Sequence, residues 1–246
     1  MTESRRNQIR VCSYNIHKGF SAMKTRYLMN EIRHAIQLVD ADIVFLQEVV
    51  GKNLRLDLIG EDDNHLAYLT NNIWPHFSYG RNAVYQRGHH GNAILSKYPI
   101  RASCNVDITH WSFSQRGILL ARLENGIYLL CLHFGLLQLE RERQLSALLK
   151  TINTEIPHDA PLIVAGDFND WNKRLHKIIL KESDLSEVFF ESNGSLARTF
   201  PAIVPILPMD RIYYKNLEVL AVEILSGNPW GRLSDHCALN AIMGWR

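Results

Sequence analysis

The sequence predicts a mixed α/β sandwich, with strands and hairpins interleaved with helices, and not a purely parallel sheet. Three observations predict it. Short apolar runs rich in Val, Ile and Leu recur along the 246 residues, and longer segments between them repeat apolar residues every three or four positions. The dipeptide Asn125-Gly126 separates two of the apolar runs, and both residue types tolerate the positive φ of a tight hairpin. At 46% hydrophobic and 21% charged residues the chain is apolar enough for a sizeable core, which excludes general disorder. No stretch approaches the ~18 uninterrupted apolar residues of a membrane-spanning helix. Length and the absence of a linker predict one domain over residues 1–246.

In chain order, residues 9–14 form the first predicted strand. Segment 23–39 follows as a helix, with Leu28, Ile32, Ala35, Ile36 and Val39 on one face. Strands are predicted at 42–46, 92–95, 117–123 and 127–132, the last two joined by the Asn-Gly turn. A helix over 139–152 gathers Leu145, Leu148, Leu149 and Ile152 on its buried face, opposite a solvated face of Arg141, Glu142, Arg143 and Lys150. A strand at 162–165 and a shorter helix at 173–180 come next. Segment 192–208, with Gly194, Pro201, Pro205 and Pro208, is predicted as a loop. Strands at 220–225 and 238–243 complete the pattern.

Lys and Arg number 27 and Asp and Glu 25, so the net charge of +2 does not suit a protein that clamps a long duplex by charge alone. Cys12, Cys104, Cys131 and Cys237 include no C-x-x-C pair; buried free thiols suit them better than zinc ligands or disulfides. The first fifteen residues carry no apolar signal core, and together with the thiols this points to a reducing cytoplasm.

The chemical signal lies where the strands end. The apolar runs lead into Asn15 and His17, Gln47 and Glu48, His133, and Asp167 and Asn169; Asp235 and His236 precede the last strand, and Asp210 lies beside another. Each of these has an ordinary structural explanation alone, such as a turn, a cap or a hydrogen-bonded core histidine. Together they suit metal-assisted phosphoryl transfer, because loops at strand ends converge on one site in α/β folds. Carboxylate and amide oxygens favour Mg²⁺ or Mn²⁺ over zinc. Histidines beside carboxylates suit proton transfer.

The ordered series SYN at 13–15, QE at 47–48, GNAILS at 91–96, His133, GDFN at 166–169, MDRI at 209–212 and SDH at 234–236 resembles the endonuclease/exonuclease/phosphatase superfamily over nearly the whole chain. The resemblance implies a DNase I-like four-layer sandwich, two mainly antiparallel sheets packed together and flanked by helices. It further implies a Mg²⁺-dependent phosphodiesterase, with a phosphomonoesterase on the same fold or a non-catalytic binding protein as the alternatives.

Carried over by position, Glu48 is the main metal ligand, with Asn15 and Asp235 beside it. Asp167 orients or activates the attacking water, and Asn169 holds the phosphate. His236, paired with Asp210, is a general base or phosphate clamp, and His133 is a candidate acid. Arg116, His90 and Asn92 are expected to touch the substrate. Val50 in QEVV departs from abasic-site nucleases, which carry a lysine there, and Pro208-Met209-Asp210-Arg211 departs from the Trp-Cys-Asp-Arg of the 5-phosphatases. Segment 74–92, with Trp74, Phe77, Tyr79, Tyr85, Arg81, Arg87 and His89, is expected in part to overhang the site as a flexible loop. The expected partner is a phosphodiester from nucleic acid or a lipid headgroup.

Overall fold

The computed structural model describes residues 8–23, 25–53, 65–70, 73–85 and 88–245. Lys24 of the first predicted helix, Arg87 of segment 74–92 and residues 1–7 lie outside them. Among the described residues the strands are β1 (Gln8–Asn15), β2 (Ile43–Asn53), β3 (His76–Tyr85), β4 (Gly88–Ser96), β5 (Ile100–Asp107), β6 (Gly117–Leu123), β7 (Tyr128–His133), β8 (Leu162–Asp167), β9 (Ser186–Glu187), β10 (Asp210–Lys215), β11 (Glu218–Leu225) and β12 (Ala238–Gly244). The helices are α1 (Met29–Val39), α2 (His65–Thr70), α3 (Gln138–Glu155), α4 (Arg174–Glu182), α5 (Val188–Asn193) and α6 (Trp230–Leu233).

Two six-stranded sheets result, one ordered β11-β12-β1-β2-β4-β3 and the other β5-β6-β7-β8-β10-β9. Each holds a single parallel pair, β1 with β2 and β7 with β8, and is otherwise antiparallel. Period-two alternation gives every central strand two buried faces. In β1, Ile9 and Val11 pack between the sheets while Cys12 and Tyr14 pack outward under α1. In β7 and β8, Leu129, Cys131, Ile163 and Ala165 face the other sheet, and Leu130, Leu132 and Val164 lie under α3 and α4. Three stacked apolar cores therefore separate four layers, as the expected sandwich requires.

Several expectations are corrected. The first helix starts at Met29, because the chain before it is held in a loop by a Phe20–Tyr27 bridge. Segment 74–92 is mainly the β3–β4 hairpin: Tyr79 pairs with Ala93, and Val84 with His89. Trp74 is buried with its indole N–H donating to the Ala41 carbonyl at 2.9 Å, which removes it from any substrate. Arg141 is buried too, donating to the Leu136 carbonyl and to Gln138 Oε1, so this one residue of the expected solvated face anchors the preceding loop, whereas Arg143 and Lys150 are exposed as expected. Cys104 is exposed on β5, whereas the other three thiols are buried. At the Asn125-Gly126 turn only Gly126 has positive φ, +89°, closing a three-residue connection rather than a two-residue one.

Candidate active site

The inner face of the sandwich generates the site. The parity that buries Val11, Cys131, Ala165 and Ile212 between the sheets also directs Asn15, His133, Asp167 and Asp210 inward, each an even number of positions away on its strand: the first three toward its end, Asp210 toward its start. Register then aligns them at one edge: Asp167 lies opposite both His133 and Asp210, and Asn15 lies opposite Gln47. Polar groups thus replace apolar ones where the seam between the sheets opens.

Asp167 is the centre. Its Oδ2 accepts from Asn15 Nδ2 at 3.2 Å and lies 3.4 Å from His133 Nε2 and 3.7 Å from His236 Nε2. Its Oδ1 accepts the backbone N–H of Asn169 at 2.9 Å. His236 Nδ1 pairs with Asp210 Oδ2 at 2.8 Å. The Asn15–Asp167 and His236–Asp210 contacts each join one sheet to the other. Asn169 donates its side-chain amide to the Phe134 carbonyl at 2.8 Å, tying the turn after β8 to the one after β7.

Glu48 reaches the site through a backbone irregularity. Simple alternation would turn it outward, but the β2–β4 register breaks between Leu46 and Val49, and Glu48 takes a φ of +58°. His17, Lys18 and Asn169 also have positive φ, which concentrates unusual backbone at this edge. The Glu48 carboxylate lies 3.6 Å from Lys18 Nζ, and His17 Nδ1 lies 3.5 Å from Asp235 Oδ1. Lys18 was not anticipated: a lysine in an Ile-His-Lys-Gly stretch carries no periodicity that would reveal its direction.

The titrating groups diverge. Burial raises Asp167 to about 7 although His236 opposes the shift. Burial likewise raises Glu48, but His133, Lys18, His90 and His17 outweigh it and hold the carboxyl at about 2. His133 is itself pushed well below its ordinary value by burial and by Arg116, so Lys18 is the standing positive charge beside Glu48. Burial disfavours the His236 imidazolium, yet Asp210 and Asp167 reverse this and raise it to about 10. Burial, followed by Lys18, lowers His90 to about 4, despite the opposing pull of Glu48.

Of the remaining expected residues, Arg116 lies close enough to act electrostatically on His133 and His90. Asn92 is buried, and its side-chain amide donates to the Gly117 carbonyl at 3.1 Å and the Cys131 carbonyl at 3.4 Å. It is a bridge between sheets.

The closest grouping of metal-capable side chains among the described residues is Asp167, Asp210 and His236, not Glu48 with Asp235. The donors nevertheless suit a hard divalent ion. Glu48 stays ionised, Asn15 and Asp235 offer oxygens, and the buried Cys131 thiol is raised by burial to about 12, so it offers no thiolate.

The chain matches the model of the Endonuclease/Exonuclease/phosphatase family over residues 12–236. It is 42% identical over 240 residues to the uncharacterized protein YbhP of Escherichia coli strain K12, covering 94% of both chains. Among solved structures it is similar to an endonuclease/exonuclease/phosphatase from Beutenbergia cavernae, with a TM-score of 0.80 and 17% identity over 98% of this chain and 72% of that one. It is similar to a humanized D. rerio TDP2, with a TM-score of 0.75 and 20% identity over 96% and 99%. A mannosyl-6-phosphatase from Bacteroides thetaiotaomicron gives a TM-score of 0.73 and 16% identity over 96% and 100%. With its two flanked six-stranded sheets and the family match across most of its length, the chain belongs to the Endonuclease/Exonuclease/phosphatase family.

Proposed function

We propose that the chain is a Mg²⁺-dependent phosphodiesterase. The observation that carries the reading is the convergence of Asn15, His133 and His236 on one carboxylate oxygen of Asp167, with Asp210 bracing His236. Members of the family are generally metal-dependent hydrolases of phosphate esters. TDP2 from D. rerio was solved with a single-strand DNA product, which supports diester chemistry on this fold.

Glu48, Asn15 and Asp235 would hold the ion, which when bound supplies positive charge to a phosphoryl oxygen. Asp167, poised near neutrality, takes a proton from the attacking water, whose oxygen bonds to phosphorus as the P–O ester bond breaks. His236, kept cationic by its two aspartates, faces the negative charge that grows on the phosphoryl oxygens. Asn169 orients the phosphate. His133 is held neutral by its surroundings, and the arriving phosphate's charge favours its protonation for delivery to the leaving oxygen. Arg116 and His90 contact the substrate, and Asn92 acts on it only through the strands that it braces. The net charge of only +2 suits a small diester better than a long duplex, and the compartment proposed is the cytoplasm.

The test is turnover of bis-p-nitrophenyl phosphate, p-nitrophenyl phosphate, plasmid, single-stranded DNA, RNA and a lysophospholipid, each with Mg²⁺ and with EDTA. Diester cleavage that requires Mg²⁺ is expected. Turnover confined to the monoester would replace this reading with that of a phosphatase.

A further inference from the structure

The loops that surround the site have an unusual surface. Sheet register places the connections after β1, β5, β7 and β8, the segment before β10, and the β3–β4 hairpin end at the catalytic edge. Of seventeen exposed large hydrophobic residues among those described, twelve lie on these segments or on the first turn of α3. Most of them project from the connecting segments rather than from strands or helices. Phe113, 77% exposed, sits at the tip of a turn closed by the Ser114 N–H to Trp111 carbonyl bond at 2.8 Å, and its ring stacks parallel to Trp111. Leu136, Trp171 and Ile203 are 71%, 53% and 66% exposed on three other loops.

Single exposed apolar residues are ordinary; so many of them on the segments at one edge are not. Exposed cations accompany them. Arg143, Lys173, Arg198 and Arg232 lie on or beside the same loops, although the chain's net charge is only +2; Arg174 lies there too but is paired with Glu142 at 3.0 Å.

We infer that the catalytic edge is a membrane-contacting surface, which seats on an anionic lipid bilayer and takes a phosphodiester presented there. The inference rests on the phosphodiesterase reading and narrows its substrate to an amphiphile. The composition of the rim decides between lipid and nucleic acid. Bases stack on aromatic rings, but Leu136, Ile203 and Ile206 offer no ring to a base and suit the acyl boundary of a bilayer. Trp111 and Trp171 suit the headgroup level, and the cations suit anionic phosphates. No helix among the described residues is long and apolar enough to cross a membrane, and the contact inferred is with the bilayer surface.

The test is co-sedimentation of the full chain with phosphatidylcholine vesicles, with and without about one-third phosphatidylglycerol. Binding to the anionic vesicles is expected, weakened roughly tenfold or more in the Phe113→Ser/Ile203→Ser double variant. Hydrolysis of bis-p-nitrophenyl phosphate and the thermal unfolding midpoint should be unchanged in that variant, since neither side chain supports the site or the core. No binding to anionic vesicles, or binding that ignores the two substitutions, overturns the inference. Rim-dependent binding of single-stranded DNA in place of vesicles would reassign the edge to nucleic acid. Vesicle binding by a protein inert on every diester would leave the surface standing and remove the phosphodiesterase reading.

Discussion

Glu48 and Asp167 are carboxylates of one site on opposite sheets, and their surroundings drive them apart. Glu48 sits on a bulge beside Lys18 and remains ionised down to about pH 2, whereas Asp167, sealed in the seam, reaches about 7. A group that stays anionic at every working pH is suited to holding a cation. A group that gains and loses a proton near neutrality is suited to moving one. Environment, not residue type, separates the two roles.

The sharpest way to break this division is to neutralise each side in turn. Asp167→Asn and His236→Ala should each lower kcat on a competent substrate by about two decades or more, because positioned acid–base groups contribute ~10²–10⁴. A near-wild-type rate in either would remove the proton-transfer role. Glu48→Gln should instead raise the Mg²⁺ concentration for half-maximal rate by roughly tenfold or more, with much of the rate restored at high Mg²⁺. An unchanged half-saturation point in a metal titration would show that Glu48 holds no ion.

A pH profile sharpens the comparison further. The rate should fall below about pH 7 as Asp167 gains a proton and again toward about pH 10 as His236 loses its own. His236→Ala removes a cation that holds the Asp167 value down, so the acid limb of its residual activity should move to higher pH. A limb that stays in place would show that the two groups do not interact.

The smallest effects are on stability without metal. The folded-state value of Asp167 is raised, so its stabilising contribution is present below its unfolded value near 3.8 and is lost as pH rises through about 7. The Glu48 value is depressed, so its contribution is present above 4.5 and is lost as pH falls through about 2. At pH 8, Asp167→Asn should therefore raise Tm and Glu48→Gln lower it, each by about 2–4 °C. Calorimetry giving both shifts the same sign would deny the contrast.

Much of this was legible in the residues. Strands 117–123 and 127–132 follow from near-continuous apolar runs, and Asp167 and Asn169 from their place just past one. The edge strand β5 was not legible: its solvent-facing residues, such as Arg101 and Ser103, leave no apolar run. The β3–β4 hairpin was hidden by Gly80, Gly88 and Gly91, which look like loop residues; Gly91 in fact permits close strand approach, since a Cβ there would lie 1.9 Å from the Gly80 carbonyl oxygen. The direction of Glu48 was also illegible, because it depends on a bulge that only the paired register of β2 and β4 creates.

The order of strands has a consequence for the timing of biosynthesis. One sheet is built from residues 8–96 together with 218–244, and the other lies between them in sequence. Asn15 and Glu48 leave the ribosome early and His133, Asp167 and Asp210 in mid-course, but His236 arrives only with β12, which must insert between β1 and β11. A growing chain thus carries Asn15, Glu48, Asp167 and Asp210 while it still lacks the imidazole that pairs with Asp210. That contact between the two sheets forms only once the closing strand has docked.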